Sequence, residues 1–154
     1  MKLIIFLLLP YVNHVLCSNS YIMPNLKANW HQASDHCKSS GMELVSITNQ
    51  ADYNQLTAFV ARELNCTVLC AVWIGANDLG SEGTFTWTAT GRRVGFTYWK
   101  SNQPDNKHGE LEEHCVEVLH HPKDNFLWQW NDSVCKHEKY FVCERVNNCI
   151  EEFS

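Results

Sequence analysis

The chain has 154 residues and a formal net charge of −5, from 17 Asp and Glu against 12 Lys and Arg. A mildly acidic protein with scattered cations has no basic stripe, which excludes a nucleic-acid partner and argues against binding to an anionic membrane. Eight cysteines and six tryptophans at this length fit one disulfide-stabilised domain with a real core, and no repeat or low-complexity tract divides it.

The chain opens with "MKLIIFLLLPYVNHVLC". Lys2 supplies a positive start, Leu3 to Leu9 an apolar run, and Val15 and Cys17 are small enough for cleavage before Ser18. This pattern predicts a secretory signal peptide at residues 1–17 and a secreted domain at 18–154. The apolar run stops at Pro10, whereas a membrane span needs about 20 residues, so no anchor is expected.

"NWHQASDHCKSSG" predicts a first helix. Asn29 is the N-cap, Gln32 stands at the N3 position, Trp30, Ala33 and Cys37 share a face, and Gly41 ends it. "MELVSI" predicts a short strand. A second helix begins near Thr48 or Asn49, with Leu56, Phe59, Val60 and Leu64 on its apolar face. The helical period then disappears. Short runs follow, "AVWIG", "TFTWT", "HCVEVL", "FLWQW" and "KYFVCERV", separated by polar and Gly-rich stretches. Two helices followed by strands and long loops predict an α+β domain. Gly75 to Gln103 shows little structure beyond "TFTWT", and loops that long are usually functional or stapled. Trp30 and Trp73 are read as core residues.

Beyond position 17 the cysteines are Cys37, Cys66, Cys70, Cys115, Cys135, Cys143 and Cys149. A secreted chain makes disulfides the default, spacing does not assign the pairs, and an odd number leaves one thiol over.

Two segments carry oxygen-bearing side chains and each runs up to a cysteine: "QPDNKHGELEEHC" and "WQWNDSVC". Gln103, Asp105, Glu113, Asn131 and Asp132 together offer three carboxylates and two amide carbonyls. This hard-oxygen set suits Ca²⁺, which takes about 6–8 oxygens, and suits Zn²⁺ poorly, since it holds neither His nor thiolate. Pro104 fits the pattern, because a cis X–Pro bond would turn both flanking side chains to one side.

At this point the sequence resembles a family. "WIG" at Trp73–Gly75, "QPD" at Gln103–Asp105, "EHC" at Glu113–Cys115, "WND" at Trp130–Asp132, and Cys37, Cys115, Cys135 and Cys143 are similar to the C-type lectin domain, in the family's order and over nearly all of residues 18–154. The resemblance implies a C-type lectin-like fold with two helices, short antiparallel sheets and a long calcium-binding loop region. It implies pairing of Cys37 with Cys143 and of Cys115 with Cys135. It also implies that Gln103, Asp105, Glu113, Asn131 and Asp132 form one site for Ca²⁺ and carbohydrate, Asp132 ligating through side chain and backbone carbonyl. In the family a Gln-Pro-Asp order goes with galactose-type ligands, so galactose or N-acetylgalactosamine is expected. The Trp that usually follows in galactose binders is absent from "NKHGELEE"; His108 could stack there instead, although a loop histidine is more often simply solvated. A second family calcium site would use Asp78, Glu82, Asn106, Glu113 and residue 114, but Asn106 and His114 stand where aspartates are usual and remove two charges.

Asn131-Asp132-Ser133 is also an N-glycosylation sequon, but a glycan there would block the site; Asn65-Cys66-Thr67 is the better acceptor. The alternative to a lectin is a protein-binding module of the same fold with a vestigial sugar site. An enzyme would have to use His114, His120 and His121 as zinc ligands, and no HExxH pattern supports that. With two pairs implied by resemblance, Cys66, Cys70 and Cys149 are left over, and a disulfide-linked homodimer through Cys149 is expected. The expected setting is extracellular, with recognition of microbial or other secreted glycans as the role.

Overall fold

The computed structural model describes residues 15–16, 20–145 and 150–151. Most of the predicted leader and Cys149 lie outside the described residues. The elements in chain order are β1 (Val15–Leu16), β2 (Ser20–Ile22), α1 (Trp30–Ser39), β3 (Glu43–Leu44), α2 (Gln50–Leu64), β4 (Cys70–Asn77), β5 (Thr86–Trp87), β6 (Cys115–His121), β7 (Phe126–Ser133), β8 (Tyr140–Phe141), β9 (Cys143–Arg145) and β10 (Ile150–Glu151). β6 and β7 are joined through a 3-10 turn at Pro122–Asp124.

Local chemistry starts both helices. The Asn29 side chain accepts from the Gln32 backbone at 3.0 Å while Gln32 reaches back to the Asn29 N–H at 3.3 Å, a reciprocal capping box. Asn49 caps α2 by accepting from the N–H groups of Ala51 and Asp52. α1 ends at Ser39, and Gly41 then takes the left-handed conformation that favours glycine.

The central sheet runs β5-β4-β6-β7, with β8 pairing parallel to β4; a second sheet runs β2-β9-β3, and β1 pairs with β10. β4 is buried on both faces. Its Val72 and Ile74 meet Leu56 and Val60 of α2 together with Val116, Val118 and Trp130. Trp73 points the other way, among Trp30, Ala33, Cys37, Leu44 and Phe141 around α1. The period of two along one strand thus divides the interior into two cores. Both predicted core tryptophans are buried and spend their N–H groups internally, Trp30 on the Ile74 carbonyl and Trp73 on that of Ala28.

Disulfides join Cys37 to Cys143, Cys115 to Cys135 and Cys66 to Cys70. The first ties α1 to β9 and the second closes the open end of the β6–β7 hairpin. "MELVSI" is a strand only at Glu43–Leu44. Beyond Leu44 the backbone leaves its β9 partner, and Val45 bonds to both Val142 and Gly75.

Between β5 and β6 the chain makes a long excursion. Val94, Phe96 and Trp99 fold back onto the hydrophobic cluster that contains Trp87 and Trp130, and Phe85, just before β5, packs on Trp99. Trp130 makes edge contacts with Trp87, Phe96 and Trp99. The backbone follows: Trp130 N–H donates to the Tyr98 carbonyl and Lys100 N–H to that of Trp130. The segment leading into Gln103 is therefore fixed to β7 one residue before Asn131.

Candidate functional site

The site forms at the open end of the β6–β7 hairpin. The register pairs Cys115 with Ser133, Val116 with Asp132 and Glu117 with Asn131. Glu113 enters just before β6, Asn131 and Asp132 lie at the end of β7, and the excursion delivers Gln103 and Asp105, with the Gln103–Pro104 bond cis. The loop is stitched to the strand by charge-assisted bonds. The Asp105 N–H donates to Asp132 Oδ1 at 3.2 Å and the Asn106 N–H to Asp132 Oδ2 at 2.7 Å. Asn106 Oδ1 in turn accepts from the Glu113 N–H at 2.7 Å.

Carboxylate oxygens of Asp105, Glu113 and Asp132 come within 4.8 Å of one another, with Glu113 and Asp132 buried and Asp105 exposed. Such a group repels itself. Burial first, then the charges of Asp132, Asp105 and Glu117, push the Glu113 carboxyl up to about 7, against a backbone N–H from Lys107. Burial also raises Asp132, although the N–H groups of Asn106 and Asp105 pull it down. Gln103 Oε1 is buried and has no hydrogen-bond partner. Three converging carboxylates, with an orphaned amide carbonyl oxygen two residues before Asp105, are the donor types of a hard cation and match calcium chemistry. A Zn²⁺ ion would find no nitrogen or sulfur in this set.

Asn131 Nδ2 donates to Glu117 Oε1 at 3.0 Å and to the Asp132 carbonyl at 2.6 Å. Glu117 was not among the residues singled out from sequence. Its only signal there is a carboxylate flanked by valines, and its role depends on the β6–β7 register.

His108 stands at the rim, 62 % exposed, with Nδ1 3.7 Å from Glu113 Oε1 and its ring edge-on to His137 at 5.2 Å. A tight turn holds it there, through reciprocal backbone bonds between His108 and Leu111. Burial, then Lys139 and His108, lower the His137 imidazole.

A second cluster joins Asp78, Glu82 and His114. His114 Nδ1 lies 3.0 Å from Asp78 and 3.3 Å from Glu82, and Nε2 lies 3.2 Å from Glu112. Burial alone would lower this imidazole, but Glu112 and Asp78 outweigh it and raise it. The ring occupies the position where a calcium site would need another carboxylate, and Asn106 is engaged with Glu113. These residues do not fit a second calcium ion. Nor do the three histidines form a zinc centre: His120 stacks on Trp128, and His121 pairs with Asp124 at 2.7 Å at the opposite end of β6 from His114.

Residues 26–145 match the family model of the lectin C-type domain. The chain is 37% identical over 142 residues to C-type lectin mosGCTL-7 of Aedes aegypti, covering 92% of this chain and 91% of that one. It is 38% identical over 132 residues to Salivary C-type lectin 1 of Aedes albopictus, covering 84% of each. Among solved structures, the trimeric Kupffer cell C-type lectin receptor Clec4f superposes with a TM-score of 0.67 at 30% identity, over 84% of this chain and 79% of that one. With two helices packed on antiparallel sheets and these likenesses along nearly its whole length, the chain belongs to the C-type lectin family, a non-enzymatic carbohydrate-binding family.

Proposed function

We propose that the protein is a secreted, calcium-dependent lectin of galactose or N-acetylgalactosamine type, released after removal of residues 1–17. The observation that carries the reading is the convergence of Asp105, Glu113 and Asp132 within 4.8 Å, two of them buried. Buried like charges are costly unless an opposite charge joins them. Gln103, Asp105, Glu113, Asn131 and Asp132 would hold the ion. Bound calcium supplies open coordination positions that two vicinal sugar hydroxyls can fill. Each hydroxyl keeps a proton to donate and a lone pair to accept with. Carboxylates of the site take the protons, and amide N–H groups supply the donors.

The Gln-Pro-Asp order supports the galactose-type ligand, and His108 offers an aromatic face at the rim where a sugar's apolar side would lie. Few sugar atoms would be buried in so open a site, so affinity for one monosaccharide is weak. Retention on a galactose resin in calcium and elution by EDTA is the expected result. Retention that survives EDTA, or occurs only on mannose, overturns the calcium or galactose part respectively. No retention on any sugar in calcium favours the protein-binding alternative. A glycan array with and without calcium then names the ligand.

A further inference from the structure

The bond between Asn131 and Glu117 belongs to a chain of contacts running inward from the site. Glu117 lies opposite Asn131 on β7 and opposite Trp73 on β4, and is 4% exposed. Its Oε1 accepts from Asn131 Nδ2. Its Oε2 lies 3.2 Å from Lys139 Nζ, an ion contact without hydrogen-bond alignment. The ammonium sits 4.9 Å from the centre of the Trp73 ring, which confines it further. The Lys139 backbone is itself fixed by two bonds to Ala28.

A primary amide is planar, with an acceptor at one end and two donors at the other. An ionised carboxylate accepts only, so Glu117 tolerates only the NH₂ end of Asn131. Lys139 supplies the opposite charge that a carboxylate at this depth requires. The amide is thereby kept from flipping, with nitrogen turned to the strand and carbonyl oxygen left for a ligand. The second N–H now goes to the Asp132 carbonyl. It becomes free for a hydroxyl if that carbonyl is engaged elsewhere.

We propose that Glu117, paired with Lys139, is a positioning residue that locks the Asn131 amide in the orientation a cation and a sugar hydroxyl require. The inference rests on the calcium-dependent reading of the site. Groups that orient metal ligands from behind typically change metal affinity by about 10–100-fold when removed.

Two double variants test it. Glu117→Gln with Lys139→Met, and Glu117→Leu with Lys139→Met, both remove the charge pair and nearly preserve volume; only the first keeps an oxygen that accepts from Asn131. Titration calorimetry with calcium alone should place the glutamine variant within about threefold of wild type and the leucine variant about 10–100-fold weaker. Melting in EDTA should differ little between the two. By NMR, the Asn131 side-chain amide protons should exchange slowly in wild type and the glutamine variant, and fast in the leucine variant. Equal calcium affinity in the two variants overturns the positioning role alone. Wild type that binds no calcium overturns the underlying reading and this inference with it. Should the leucine variant not fold, wild-type Asn131 amide protons exchanging like those of a solvated side chain overturn the lock.

Discussion

With its carboxyl buried and Asp132 and Asp105 close by, Glu113 keeps a proton up to about 7. Its folded value lies above its ordinary 4.5, so between those pH values the native state holds a proton the unfolded chain has lost. Without calcium, stability therefore falls as pH rises through this window, and the penalty is complete above it. Glu113→Gln keeps the shape and removes the charge. It is expected to raise the melting temperature of the calcium-free protein at pH 8 and to weaken calcium at least about tenfold, with sugar binding falling in parallel. Loss of sugar binding at full calcium affinity would show that ion and sugar do not share these ligands. Glu144 obeys the same sign away from the site. Burial, against bonds from Ser46 and with Asp52 and Glu43 nearby, raises it from 4.5 to about 7, and Glu43 is its cross-strand partner. Glu144→Gln retains an acceptor for the Ser46 N–H, which lies 2.8 Å from Oε1. Between pH 5 and 8 the variant should lose less stability than wild type, by of order 2 kcal/mol, as measured by urea unfolding in EDTA. An unchanged pH dependence would remove Glu144 from this account.

At the scale of elements, the tightest point is where β4 passes the segment after β3. A Cβ on Gly75 would lie 2.8 Å from the Leu44 carbonyl oxygen and 3.3 Å from that of Val45, both backbone atoms with no room to yield. Gly75 is also bonded to Val45 and Thr88. Gly75→Ala is expected to cost about 1–3 kcal/mol, read as a lower urea midpoint at unchanged slope; wild-type stability would mean that β3 shifts freely. The helices were legible because a cap, a period and a stop lie within a few neighbouring residues, as at Asn29, Gln32 and Gly41. The candidate site could be proposed from sequence for a related reason: Gln103, Asp105, Asn131 and Asp132 occupy two short segments, each with its own turn or cysteine. What sequence did not display depends on distant partners. The excursion before Gln103 reads as bare loop because Phe96 and Trp99 acquire their meaning only against Trp130. Glu117 reads as a stray charge until the register sets it opposite Asn131 and Lys139 comes in from the β7–β8 connection. "MELVSI" is shorter as a strand than its pattern because Val45 turns from β9 to β4.

For the molecule as a whole, the Cys66–Cys70 bridge changes the count of thiols. All six cysteines within residues 20–145 are paired, and Cys149 lies outside the described residues. If the leader is removed through Cys17, seven cysteines remain and these six account for one another, so the count leaves one thiol over. A disulfide-linked homodimer is then the expected product, and two weak sugar sites on one particle gain avidity when the target presents repeated glycans. Non-reducing electrophoresis of the secreted protein should show a dimer for wild type and a monomer for Cys149→Ser; a wild-type monomer refutes the link. Finally, β2 and β9 lie side by side, with Ser20 opposite Arg145, so residues 20 and 145 stand within about 5 Å, the Cα spacing of paired strand residues. A body whose two ends meet can be carried as an insert. Spliced into a surface turn of a host protein, residues 20–145 would leave the host's own strands nearly as close as before, presenting the lectin as a lateral branch of another chain.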